Sequence, residues 1–240
     1  MSAQATYVSG RFPRVERASI PERVTFIRRT YRHLAASIVV FVFLEAILVK
    51  SGVAVLYLDF VFAASTNWLI ILGLFMFTGY LAHKWARNDR SRLVQYLGLA
   101  LYVSAEAFLF LPLLAIAALF SSPLVVSSAG LVTLITFGGL SATVLLTKED
   151  FLLLQMGLSL AGLLTLGLIL AAILFGTNLG VLFSIALVGL ASGYILYYTS
   201  NVVHRYRTDQ YVAASLSLFA SVALLFWYVL RLYLLTYGED

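Results

Sequence analysis

Cysteine is absent from the 240-residue chain, proline occurs four times, and only 11% of the residues are charged. The first absence excludes disulfide frameworks, thiolate metal sites and cysteine nucleophiles, and leaves the compartment open. The scarcity of charge is the stronger signal, because about a quarter of the residues of a soluble domain are charged. Hydrophobic residues make up 62% and the mean hydropathy is +0.96, so the chain reads as an integral membrane protein in a lipid bilayer. Its apolar runs are continuous and lack the two-residue alternation of a barrel strand, which leaves an all-α membrane fold. No 20 to 50 residue repeat, low-complexity block or second domain is present.

A spanning helix needs about 20 mainly apolar residues. Seven stretches qualify, at 33–50, 66–83, 94–120, 125–146, 151–175, 179–202 and 211–236. The predicted organisation is a polar basic tail over residues 1–30 and a single seven-helix domain over 31–240. The tail lacks an apolar stretch and a small-residue cleavage site, so it does not read as a cleaved signal peptide; Pro13 and Pro21 are expected to keep it from forming a long helix. Of the sixteen Lys and Arg residues, seven precede the first span. Lys84, Arg87, Arg90 and Arg92 lie in the second connector, Lys148 in the fourth, and Arg205 and Arg207 in the sixth. This asymmetry places the N-terminus in the cytoplasm and, with seven crossings, Tyr237 to Asp240 outside; if the last run re-enters without crossing, they are instead inside. The clustering beside spans also accounts for the net charge of +5 as a topology signal, and no nucleic-acid partner is expected. The first connector, 51–65, is half apolar and is expected to lie along the outer interface.

Three ionisable residues fall inside spans. Glu106 is about 20 Å from either end of its helix at 1.5 Å per residue, close to mid-membrane, where ionisable groups are functional by default. It is the candidate ion or proton site. Glu45 and Arg231 share a shallower depth near the outer face, so either they form an ion pair or Arg231 snorkels to the headgroups. Gly189 and Gly193, four apart on the sixth span, and Ala213, Ser217 and Ser221 on the seventh form small-residue faces expected to meet. The tyrosines that end the sixth span fit an aromatic belt, and His83 and His204 lie at the same boundary.

A GLSA sequence at Gly139 to Ala142 superficially resembles the GxS of intramembrane serine proteases. That chemistry needs a histidine base within reach of Ser141, and the one histidine in a later span, His204, ends its helix. No HExxH, paired intramembrane aspartate or Walker loop is present. The chain is therefore expected not to be an enzyme, with no cofactor and no metal site.

The segments FIRRTYRHLAAS entering the first span, YVSAEAFLFLP around Glu106, FGGLSATVLLTKEDF closing the fourth, YILYYT ending the sixth, and DQYVAASLSLF with LLFWYVLRL in the seventh together resemble the Bax inhibitor-1 family. The resemblance covers nearly the whole chain after the tail. It implies six helices around a central C-terminal seventh, and a pH-sensitive calcium leak. The alternative it implies is a non-conducting regulator of a membrane protease or of stress and cell-death signalling. A bacterial source would place the chain in the inner membrane, and a eukaryotic one in an endomembrane. The family's acid pair, one aspartate ending the sixth span and one within the seventh, matches Tyr198 and Ser221 here, and neither is acidic. Paired carboxylates titrate steeply, whereas a tyrosine with a reference pKa of about 10 is neutral at physiological pH. Tyr198 and Ser221 are thus expected to close the seam by a hydrogen bond, with pH gating altered or absent.

Overall fold

In the computed structural model residues 12–237 are described; residues 1–11, which include Arg11 of the tail, and 238–240 of the expected outer terminus lie outside them. Eight α-helices follow in order: α1 (Ile20–Lys50), α2 (Val53–Ala63), α3 (Asn67–Ala86), α4 (Arg92–Phe120), α5 (Pro123–Thr147), α6 (Leu154–Phe175), α7 (Val181–His204) and α8 (Tyr211–Tyr237). Seven are long and apolar enough to cross a membrane, and α2, at 11 residues, is not. The half-apolar first connector is this short helix, which packs Ala54 against Leu111 and Ala115 of α4.

The expected tail of 1–30 ends much earlier than its composition suggests. Helix α1 begins at Ile20 with Pro21 in its first turn, where the missing N–H costs no intrahelical bond. Glu22 accepts hydrogen bonds from the Ser19 backbone N–H at 3.0 Å and hydroxyl at 2.7 Å. The proline read as a breaker is thus part of the helix start. Residues 13–17 are docked as well. Val15 is fully buried, its N–H donates to the Tyr206 carbonyl at 2.9 Å, and the Thr208 N–H donates to the Pro13 carbonyl at 3.1 Å.

Helix α8 is the centre of the bundle, with 78% of its apolar window buried against 6% for α6. Every residue from Tyr211 to Phe219 is buried, so no face of that stretch is left for lipid, as expected of a helix apolar all round. Helices α1, α3, α4, α5 and α7 pack on it directly, while α6 packs on α7 and α3 and faces α8 across a cavity. Aromatic rings lock the centre. Phe41 of α1 meets Phe110 of α4 at 5.2 Å and Phe219 of α8 at 5.9 Å, and Trp227 stands edge-on to Phe110 at 5.0 Å. Each such pair contributes about 0.5–1.5 kcal/mol beyond its burial.

The polar connectors gather at one end of the bundle. Arg207 between α7 and α8 donates to Asp209 at 3.1 and 3.0 Å and reaches Asp89 of the α3–α4 connector. Arg92 of α4 donates to the Asp209 carbonyl at 2.6 Å. The Tyr211 ring lies between the guanidiniums of Arg29 and Arg92, at 5.6 and 5.1 Å. Tyr96 links the Tyr211 hydroxyl and His33, each at 3.2 Å. This is the basic end.

The small-residue faces do not pair as expected. A methyl on Gly193 would come within 2.8 Å of Leu158, so this side of α7 faces α6, and Gly189 has open space around it. Among the described glycines the one set tightest against a neighbouring backbone is Gly98 of α4, where a Cβ would lie 2.6 Å from the Ala82 carbonyl oxygen and 2.7 Å from the Ala86 nitrogen of α3. Backbone atoms cannot step aside as a flexible side chain can. Gly98→Ala should destabilise the protein by about 1–3 kcal/mol, whereas Gly189→Ala should leave it within about 0.5 kcal/mol. Unfolding of the two purified variants in one detergent checks the difference.

Candidate functional site

Helix α4 carries Tyr102 and Glu106 one turn apart on a buried face, at 7% and 4% exposure. The i, i+4 spacing brings the two side chains together. Behind them, the Tyr102 ring stands edge-on to His83 of α3 at 5.3 Å, and His83 Nδ1 is hydrogen-bonded to the Gly79 carbonyl at 2.9 Å. Glu106 lies on the wall of a cavity of about 640 Å³ between α3, α4, α6, α7 and α8. Trp68, Pro112, Trp227 and Tyr228 supply much of its surface, Tyr194 and Tyr198 bound it on α7, and Ser221 and Arg231 reach it from α8. Thr177 and Asn178, in the connector between α6 and α7, mark its end away from the basic connectors.

Tyr198 and Ser221 therefore line one cavity, but the expected hydrogen bond between them is not formed. Ser221 Oγ donates to the Leu218 carbonyl at 2.8 Å within its own helix. Tyr198 stacks on Tyr194 with centroids 6.0 Å apart and planes 15° from parallel, and meets Tyr197 edge-on at 5.2 Å. A serine hydroxyl in a helix readily turns back to a preceding carbonyl, so a shared depth does not join the pair.

The Glu45–Arg231 pair is likewise absent. Arg231 Nη2 donates to the Leu179 carbonyl, and its guanidinium lies 5.8 Å from the centroid of the Phe183 ring. Glu45 continues the buried stripe Thr30, Leu34, Ser37, Phe41 on α1, and neither carboxyl oxygen has a hydrogen-bond partner. Equal depth fixes the height of two residues but not the side of the helix on which each sits. Arg231 shares its side with Leu224, Trp227 and Tyr228, which line the cavity.

A second cavity, of about 490 Å³, lies at the basic end, and Tyr194 and Tyr198 line it too. The two tyrosines stand between the cavities. The Tyr194 hydroxyl donates to the Leu158 carbonyl of α6 at 2.9 Å, and Gly162 leaves room for it, since a Cβ there would come within 2.6 Å of that hydroxyl.

The family profile described as inhibitor of apoptosis-promoting Bax1 matches residues 23–238. The chain belongs to the Bax inhibitor-1 family. It is also similar to an uncharacterized protein of Pseudomonas aeruginosa, 29% identical over 170 residues that cover 70% of this chain and 72% of that protein. No solved structure matches significantly. Within the Bax inhibitor-1 frame, the two acid positions of the resemblance are occupied here by one tyrosine of the layer between the cavities and by a serine on the wall of the larger one.

Ser141, considered above as a nucleophile, is buried with its hydroxyl 3.3 Å from that of Thr199, and His204 Nδ1 instead meets the Ser200 carbonyl at 3.0 Å. The serine–histidine pair that an acyl transfer would need is not made by these two residues. Sequence reasoning missed Tyr102 as the neighbour of Glu106, although the four-residue spacing carries that signal. It also missed Arg87, Gln155 and Gln210 on the second cavity, which come from three separate segments and leave no local pattern.

Two expectations concern stability. Arg205 donates to Asp150 at 2.8 and 3.2 Å. Partial desolvation pushes the Asp150 carboxyl up, but the hydrogen bond and charge of Arg205 outweigh it and hold the group below its usual 3.8. A depressed value means stability that is complete above the ordinary carboxylate range and is lost as pH falls through the folded value. The pair is half exposed, so Asp150→Asn should cost no more than about 1 kcal/mol near neutrality. The difference from wild type should vanish in acid, as thermal unfolding across a pH series will show. Glu45→Leu should act in the other direction, because it removes two buried oxygens that have no partners. A gain of about 1–3 kcal/mol is expected, read as a higher unfolding midpoint in the same detergent.

Proposed function

We propose that this Bax inhibitor-1 family protein is a weak cation leak, with calcium as the permeant ion, whose closed state is held by tyrosines rather than by a titrating acid pair. The observation that carries the reading is the Glu106 carboxyl on the wall of a cavity about 640 Å³ in volume that ends against Tyr194 and Tyr198. Calcium takes oxygen ligands. Glu106, the Tyr102 hydroxyl beside it and the polar Thr177–Asn178 connector present oxygens along the wall. A single acid and few neutral oxygens suit passage more than retention, since a permeant ion must enter favourably and still leave. Arg231 on the same wall places a positive charge beside the route and keeps conductance low.

The tyrosine layer explains closure. Two stacked rings, one hydrogen-bonded to the backbone of α6, occupy the ground between the cavities. A phenol carries no charge near neutrality, so protonation near pH 7 has no group in this layer on which to act.

Calcium uptake into proteoliposomes of the purified protein tests the reading. Wild-type flux should be small, and the tyrosine layer should add no pH step of its own between about pH 6 and 8, so any dependence there should come from the Glu106 carboxyl and disappear with Glu106→Gln even though some flux remains. Glu106→Gln should lower the flux about tenfold, equivalent to roughly 1.4 kcal/mol of lost cation stabilisation, while Tyr198→Ala should raise it. Absence of flux from both wild type and Tyr198→Ala would instead favour a regulator that acts only through a membrane partner such as a protease.

A further inference from the structure

The cavity at the basic end has a chemistry of its own. Its wall takes Arg87 from the end of α3, Gln155 and Ser159 from the first turns of α6, Asn201 and Arg205 from the end of α7, and Gln210 at the start of α8. Among the described residues no carboxylate lines it. The neighbouring acid, Asp150, is engaged by Arg205 Nη2.

Two polar atoms on this wall are left over. Arg205 Nε is buried without a hydrogen-bond partner, and so is Asn201 Oδ1, on a side chain belonging to a residue only 8% exposed. Buried polar groups in native proteins are nearly always satisfied, and these two belong to residues that line the cavity through their other atoms, so an occupant that draws either side chain round supplies the missing partner. The unmet guanidinium N–H calls for an acceptor. The Asn201 amide nitrogen has no protein partner and is not sealed off as Oδ1 is, so it is free to donate inward. Arg87, the amides of Gln155 and Gln210, and the Ser159 hydroxyl add donors from other sides.

The geometry points to a binding site for a phosphate group, carried either by a soluble phosphorylated compound or by an anionic lipid headgroup. The Arg87 guanidinium presents forked donors that match phosphate oxygens, Arg205 adds positive charge although its Nη2 is held by Asp150, and a tetrahedral anion can accept from several directions at once, as this wall requires. The volume of about 490 Å³ is in the range of small-molecule sites and leaves room for the group that bears the phosphate. Tyr197 and Tyr206 on the same wall supply flat surface and hydroxyls for that remainder.

The full-length purified protein tests this in two arms. In detergent, isothermal titration with inorganic phosphate and with glycerol 3-phosphate probes soluble ligands. In nanodiscs, native mass spectrometry compares retention of phosphatidic acid and phosphatidylglycerol with that of phosphatidylcholine. Saturable binding in the first arm assigns a soluble phosphate compound, and selective retention of the anionic lipids in the second assigns a headgroup. In whichever arm binding appears, Arg87→Gln should weaken it by about tenfold or more, and Asn201→Asp, which puts a negative charge on the wall, should abolish it. Arg90→Gln, on the same connector but off the cavity wall, should leave it within about twofold. Unliganded unfolding midpoints close to wild type show that the variants remain folded. No binding at millimolar concentration in either arm, or equal losses in Arg87→Gln and Arg90→Gln, would overturn the proposal.

Discussion

The constraint from which the rest of the structure follows is the enclosure of α8. A helix wrapped on every side in a membrane gains little from the hydrophobic effect at its interfaces, because lipid tails are as apolar as its neighbours, so close van der Waals packing has to hold it. Small side chains make that possible. Ala213, Ala214, Ser215, Ser217, Ser221 and Ala223 are all buried and let neighbouring helices approach. Their hydroxyls are satisfied locally: Ser215 donates to the Thr30 and Tyr211 carbonyls at 2.8 and 2.6 Å, and Ser217 accepts from Tyr206 at 3.0 Å. The serines thus serve as small residues whose polarity is neutralised by bonding. The same habit explains why Ser221 turns to its own helix and not to Tyr198.

Enclosure also explains the basic end. Once α8 is surrounded, the connector leading into it must leave the bundle interior while carrying a buried acid, Asp209, only 6% exposed. Arg207 and Arg92 converge on that residue, and the segment around Val15 adds backbone hydrogen bonds across the connector. The basic residues clustered in the connectors therefore do more than bias orientation. Several hold the entry to the central helix in one geometry, and Arg87 and Arg205 remain on the wall of a polar cavity.

How much of this could be read from the residues depends on whether the signal was continuous or relational. The seven spans were legible because each is an unbroken apolar run, and the centrality of the last followed from the family resemblance. The start of α1 was missed because Phe26 and Thr30 carry its buried stripe through a stretch that its charges make look like tail, and because Pro21 has opposite meanings in the first turn of a helix and in its interior. Glu106 was legible as a lone acid in the middle of an apolar run, and in the structure its side chain lines a cavity. The partners of Glu45 and Arg231 were not legible, since rise per residue gives depth while contact also needs azimuth. Gly98 makes a close interhelical approach without belonging to any small-residue motif in its own helix; its counterparts, Ala82 and Ala86, are on α3.

The two cavities have one geometric origin. Helix α6 touches α7 at a waist, where Leu158 presses on Gly193 and the Tyr194 hydroxyl reaches the Leu158 carbonyl over Gly162. Toward the basic end α6 contributes Gln155 and Ser159 to the smaller cavity; beyond the waist it contributes Ile169, Ala172 and Ile173 to the larger one. The contact between α6 and α7 at this point lies between the two groups of α6 residues that line the cavities. The residues at the contact stand between the cavities, which is why Tyr194 and Tyr198 line both. A tyrosine layer at this position needs no structural element of its own. It follows from placing large planar side chains on α7 opposite two glycine-permitted contacts, and any motion that swings α6 about that contact must widen one chamber while it narrows the other.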